Sequence, residues 1–127
     1  MIQRKEENLD KQQFINLIDE LRIVEQDNIF VFYFTAPWCG PCKRSYPIIS
    51  KQLDSIDELI ANNPSKYTKT IYFVKLNYDD CRELKTLLKV KSIPTMFLYV
   101  NGIKEYINNS SRDDNIIDFF NVVKSFM

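Results

Sequence analysis

Cys39 and Cys42, in Trp38-Cys39-Gly40-Pro41-Cys42, are the residues whose type and spacing could do chemistry. They follow an apolar run, "FVFYFTA", that carries no carboxylate, and the chain has no histidine to serve as a base. Two thiols separated by two residues, where a strand hands over to a helix, read as a redox pair. The first turn of a helix has unsatisfied N–H groups and a partial positive charge, and both favour a thiolate over a thiol. Cys39 stands where those groups point, so its pKa is expected below the free value of about 8.5. Cys42, one turn later, faces back toward Cys39 and is shielded by the helix, so it can resolve a mixed disulfide. Pro41 has its φ fixed near the helical value and lacks an N–H that a helix start would orphan, which stiffens the loop. Gly40 leaves room for a substrate backbone, and Trp38 offers a flat apolar surface beside the attacking sulfur.

Two other chemistries compete for the pair. A zinc site needs four ligands, and with only Cys81 remaining and no histidine the set cannot be completed from cysteine and histidine within this chain. A pair that merely packs is disfavoured because an exposed Trp38 and two cysteines at a helix tip are poor core material.

The elements that must position the pair follow from periodicity. Phe14, Leu17, Ile18 and Leu21 recur at helical spacing and predict a helix between about Asn8 and Glu20. Residues 29–36, "IFVFYFTA", are apolar on both parities, as a central strand covered on both faces should be. After the cysteines, Ile49, Leu53, Ile56 and Ile60 continue a helical stripe to about Ala61, with Pro47 inside it as an expected kink. The polar stretch "NNPSKYTK" breaks the pattern. Thr70 to Tyr78 is a second strand, and "DDCRELKTLLKV" a short helix with Asp79 or Asp80 available as its cap. Thr95 to Val100 is a third strand, Asn101-Gly102 a tight turn, and "IKEYI" an antiparallel return at the edge. Ile116, Phe119, Phe120 and Val123 mark a last helix behind Asp113 and Asp114.

Composition narrows the partners. The 127 residues make one ordinary domain, residues 1–127, able to bury a single core without disulfide staples. Lys plus Arg equals Asp plus Glu at 17 each, so no net field favours nucleic acid or an anionic membrane. The N-terminal "MIQRKEENLDKQQ" is charged where a signal peptide needs an apolar core, and no apolar run reaches membrane-spanning length. Three cysteines argue against a secreted disulfide framework. A soluble, cytoplasmic protein is expected.

At "WCGPCK" the sequence resembles the thioredoxin family, and "FVFYFTAPWCGPCK", "VKLNYDD", "VKSIPT" and "YVNG" fall in the family's order along most of the chain. The resemblance implies an α/β thioredoxin fold: a central mixed, mostly parallel sheet with a C-terminal antiparallel hairpin, flanked by helices on both faces. It matches Cys39 to the attacking cysteine and Cys42 to the resolving one, with Trp38, Gly40 and Pro41 completing the motif and Pro47 the helix-kinking proline. Pro94, in Ile93-Pro94-Thr95, matches a cis-proline lying against the cysteines, which would present the backbone of Ile93 to an extended substrate strand. Lys75 matches a buried lysine near the resolving cysteine.

Three departures from the family stand out. Tyr33 occupies the position of a buried Asp that helps move the resolving cysteine's proton, and a phenol with a pKa near about 10 is a poor base at neutral pH. The segment between Cys42 and Lys75 is roughly ten residues longer than in compact members by this resemblance, around "ELIANNPSKYTK". Asn109-Ser110 falls where a glycine is expected near the substrate. Cys81 matches an extra cysteine of some relatives; at a helix start it could be an activated thiol forming an intermolecular disulfide or a small packed residue.

The expectation is a monomeric dithiol-disulfide oxidoreductase that reduces protein disulfides in cell redox homeostasis and electron transport, without a bound cofactor, recharged by an NADPH-dependent flavoprotein thioredoxin reductase. A specialised partner or isomerase for a narrow client set remains open, as does a redox-inactive binding module docking through Trp38, Ile93 and Pro94.

Overall fold

The eight residues Asn28–Thr35 are all buried, as an apolar run on both parities requires of a strand covered on both faces. In a computed structural model that describes residues 1–127, this strand is β2 in the order β1 (Gln3–Glu6), α1 (Lys11–Ile23), β2, α2 (Gly40–Asn62), β3 (Thr70–Asn77), α3 (Arg82–Leu87), β4 (Thr95–Val100), β5 (Ile103–Asn108) and α4 (Asp113–Phe126). The strands form one sheet ordered β1-β3-β2-β4-β5. Both β1 and β2 pair with β3 in parallel, whereas β4 is antiparallel to β2 and β5, so β4 alone runs against the rest.

Alternation along β2 divides the core. Ile29, Val31 and Tyr33 pack with Ile49, Leu53 and Ile56 of α2 and with the Ile116, Phe119, Phe120 and Val123 stripe of α4. On the other face Phe30, Phe32 and Phe34 pack with Phe14, Ile18 and Leu21 of α1 and Leu84 of α3. Each such fully buried side chain contributes about 1.5–3 kcal/mol, so β2 is the element the fold can least afford to lose.

Local chemistry sets the boundaries. Helix α1 begins later than the expected boundary near Asn8 because Asp10 caps it: Asp10 Oδ1 accepts from the Gln13 amide at 2.8 Å, and Gln13 Oε1 accepts from the Asp10 amide at 2.9 Å. Leu17, within the expected stripe, is only partly buried. Pro47 lies inside α2, as expected. Asn101 and Gly102 adopt φ of 51° and 75°, the left-handed pair that closes the β4–β5 hairpin.

The sequence carries no pattern for β1, whose four side chains are exposed. Its backbone ladder to β3 forms it, and α2 holds it from above: the Ile2 amide donates to Asp57 Oδ1 at 2.7 Å, and Arg4 bonds Asp54 and Asp57 at 2.9 and 3.0 Å. Exposed ion pairs contribute about 0–1 kcal/mol, so the ladder dominates. The expected cap of α3 is also corrected. Asp79 and Asp80 lie in a 3₁₀ turn, Tyr78–Asp80, and Cys81 precedes the helix without a side-chain cap bond. The turn starts because the Asn77 side chain accepts from the Asp79 amide at 3.0 Å, ending β3 one residue before Tyr78.

Candidate dithiol site

Cys39 is the N-cap residue of α2, with φ −80° and ψ 108°, and its sulfur accepts the Cys42 amide at 3.2 Å. The two sulfurs are joined in a disulfide, with Cα atoms 5.3 Å apart. The Cys39 sulfur also lies 3.7 Å from the carbonyl oxygen of Ile93, and the Ile93–Pro94 peptide is cis. Pro94 and Thr95 are buried, and the Thr95 hydroxyl donates to the Ser92 carbonyl at 2.6 Å, closing the loop that carries Ile93 to the cysteines.

Shielding does not distinguish the two cysteines, which are 3% and 2% exposed and pack with Ala36 in a small cluster of their own. What differs is the space each one borders. Cys39 lines a cavity of about 300 Å³ with Trp38, Tyr78 and Ile93, whereas Cys42 lines a cleft of about 660 Å³ with Tyr33, Tyr46 and Lys75. Trp38 is 63% exposed, and its indole N–H donates to Asp79 Oδ2 at 2.7 Å. Asp79 thus orients the indole instead of capping α3. A Cβ added at Gly40 would lie 3.3 Å from the Arg44 guanidinium, a flexible neighbour, so the position is tight only through that side chain.

Tyr33 is 1% exposed, with its ring stacked 5.6 Å from Phe73 and 6.4 Å from Tyr46. Burial pushes its phenol above the ordinary 10.0, with the Thr35 side chain pulling the other way and Tyr46 adding to the rise. Lys75 is not the buried lysine expected: its side chain is 40% exposed, 3.5 Å from Glu6 Oε1 and 5.9 Å from the Tyr46 ring centroid. Glu6 escaped sequence reasoning. The only signal for it is ladder register, which cannot be read before β1 is known.

Cys81 is a packed residue, not an activated thiol. It is 1% exposed, and its S–H donates to Asn8 Oδ1 at 3.7 Å. Burial raises its pKa above 9.0, with the Leu9 backbone and Lys85 opposing and Asp80 reinforcing the shift. The longer segment before Lys75 is spent partly on α2 itself and partly on residues 63–69 at its C-terminal end, where Lys69 bonds the Phe126 carbonyl. At 1.5 Å per residue this end lies about 35 Å along the helix from Cys39. Around Asn109-Ser110, Ser110 Oγ accepts from the Arg112 amide at 3.1 Å and the Asn115 side chain at 2.9 Å, closing the approach to α4.

A mixed five-stranded sheet, helices on both faces, a cysteine pair capping a long helix and a cis-proline against it define a thioredoxin-fold protein. The thioredoxin family model matches residues 7–122, and the chain belongs to that family. It is 36% identical over 86 residues to an M-type chloroplastic thioredoxin of Brassica napus, covering 68% of this chain and 42% of that one. A Mycoplasma genitalium thioredoxin is 29% identical over 113 residues, covering 83% of this chain and 99% of that protein. The chain spans about half the length of the chloroplastic relatives it matches. Among solved structures, oxidised mitochondrial thioredoxin 3 of Saccharomyces cerevisiae superposes with a TM-score of 0.62 at 24% identity, covering 95% of this chain and 94% of that one. No helix is long and apolar enough to cross a membrane.

Proposed function

We propose that the chain reduces protein disulfides, with Cys39 attacking and Cys42 resolving. The observation that carries this reading is the Cys39 sulfur at the N-cap of α2, accepting the Cys42 amide and facing the Ile93 carbonyl. The Cys42 N–H aimed at that sulfur and the positive end of the helix dipole stabilise its thiolate. The thiolate attacks one sulfur of a substrate disulfide; that bond breaks, a Cys39–substrate bond forms, and the other substrate sulfur leaves as a thiolate and takes a proton from solvent. Cys42 then loses its proton and attacks the Cys39 sulfur, so the second substrate sulfur leaves and the Cys39–Cys42 bridge closes. Two electrons and two protons pass to the substrate.

In this reading Trp38, Ile93, Pro94 and Thr95 form the substrate rim, with the Ile93 backbone pairing to an extended segment. Gly40 and Pro41 shape the motif, while Tyr33 and Lys75 support Cys42. No bound cofactor takes part. A thioredoxin reductase recharges the pair, the protein acts as a monomer, and its place is the cytoplasm, where thiol pools keep a turning-over dithiol reduced. The family name supports the chemistry, and imaging a fluorescent fusion in cells tests the cytoplasmic place against the chloroplastic and mitochondrial locations of relatives.

Insulin-disulfide reduction driven by dithiothreitol tests the activity. Cys39→Ser should abolish the rate, and Cys42→Ser should accumulate mixed disulfides with client proteins. A rate independent of Cys39 would leave a binding module, and capture through Cys42 in Cys39→Ser would reverse the roles.

A further inference from the structure

Resolution requires Cys42, a buried thiol, to release a proton, and the groups lining its side of the site decide where that proton goes. The titratable groups of the Cys42 cleft are Glu6, Glu7, Tyr33, Lys43, Tyr46 and Lys75, from β1, the residue after it, β2, α2 and β3. An ammonium has no free lone pair, and a neutral phenol is a poor base. Burial disfavours the Tyr33 phenolate further. The two glutamates remain.

Register separates them. Glu6 pairs with Lys75 in one ladder and Lys75 with Tyr33 in the next, so the three side chains form one row across β1, β3 and β2. The row lies on the α2 face, because Arg4, two residues before Glu6, bonds Asp54 and Asp57 of that helix, and Phe73, two residues before Lys75, packs beneath it. Glu6 Oε1 is held 3.5 Å from Lys75 Nζ. Glu7 follows the end of β1, gives its amide to the Lys75 carbonyl, and also lines the groove against α1 on the opposite side.

We propose that Glu6 accepts the Cys42 proton through water in the cleft, with Lys75 positioning its carboxylate. As the Cys42 sulfur attacks Cys39, its proton passes by water to Glu6, which returns it to solvent or to the departing substrate thiolate. The Glu6 side chain is 80% exposed, so reloading with bulk water needs no further group. This assignment rests on Cys42 as the resolving thiol.

The test is rapid mixing of the reduced protein with excess model disulfide, acid quenching, and mass-spectrometric measurement of mixed-disulfide formation and decay from pH 5.5 to 9.5. Glu6→Gln should slow decay about tenfold at pH 7, below the about 10²–10⁴ of a directly bonded acid–base group because water intervenes. Formation should be unchanged, the gap should close at the alkaline end where hydroxide suffices, and Glu6→Asp should recover most of the rate. Glu7→Gln should behave as the parent protein. Parental decay in Glu6→Gln, an equal loss in both steps, or a loss that follows Glu7 instead would overturn the assignment. If the parent protein forms no mixed disulfide through Cys39, the redox reading beneath it fails, which the Cys39→Ser assay reports separately.

Discussion

Replacing Tyr33 tests whether this ring is there for packing or for proton transfer. Tyr33→Asp would place a carboxyl on β2, but it would also empty a site that is 1% exposed and stacked against Phe73 and Tyr46. Truncating a buried aromatic costs about 3–5 kcal/mol. The new carboxyl adds a desolvation cost that the Lys75 ammonium, its register partner, offsets only in part because that side chain is 40% exposed. For a chain of this length each kcal/mol corresponds to about 3–6 °C, so the variant should melt about 10–30 °C lower. Burial would raise the carboxyl's folded pKa above its unfolded value. The unfolded state would then release the proton first, so the deficit should be smaller at pH 4 than at pH 7.

Tyr33→Phe keeps the ring and removes the hydroxyl, at a cost below about 1.5 kcal/mol. Because a buried neutral phenol is not the base, the decay of the mixed disulfide should stay within about twofold of the parent. Calorimetry on both variants and stopped-flow reduction on Tyr33→Phe are the measurements. A Tyr33→Asp melting point within about 3 °C of the parent would refute the packing argument. A tenfold slower resolution in Tyr33→Phe would refute the claim that the proton bypasses the phenol.

Gly102→Ala should destabilise by about 2 kcal/mol or more in urea unfolding, because φ is 75° and the added Cβ would lie 2.6 Å from Arg22 Cγ and 2.8 Å from the Ile18 carbonyl oxygen. Cys81 should resist iodoacetamide in the native state, its modification tracking global unfolding. With folded pKa values of Cys81, Tyr33 and Tyr99 all raised, stability should be fully present below about pH 9 and fall as pH rises beyond it; Cys81→Ala should flatten the first part of that fall, measured as urea midpoint against pH. Asp79→Ala should free the Trp38 indole, seen as increased acrylamide quenching of its fluorescence with a melting point within about 3 °C of the parent, since the contact is exposed.

The legible parts of the sequence are those where burial writes a period. β2 shows as a run apolar on both parities because it has a helix pair on each face, and the α4 stripe shows because one face of that helix is buried. The β4–β5 turn shows because two consecutive positive-φ residues demand Asn-Gly. The cysteine pair shows because its chemistry is local: N-cap, amide and second thiol lie within four residues. Where contacts span the chain the sequence is silent. β1 buries none of its four side chains, so its charged letters look solvated, and its existence depends on a ladder to residues some seventy positions away. Asp79 looks like a helix cap until Trp38 is placed beside it.

In the proposed reading, the division of labour between the cysteines rests on these distant contacts. Their burial is nearly equal, so exposure cannot decide which attacks. Cys39 has the Ile93 carbonyl and the exposed Trp38 on its side, where a substrate strand docks in the proposed reading. Cys42 has the larger cleft, walled by β1 and β3 and lined by charge. A substrate lying along Ile93 covers the smaller cavity and leaves the larger one open to water. On the proposed roles, the attacking sulfur would then be sealed against competing thiols while the resolving sulfur keeps its path for proton loss. Removing the acidic group from that wall, by Glu6→Gln, should leave the first attack intact and slow the second. In the proposed assignment, the edge strand without a sequence signature thus supplies the group that serves the resolving step.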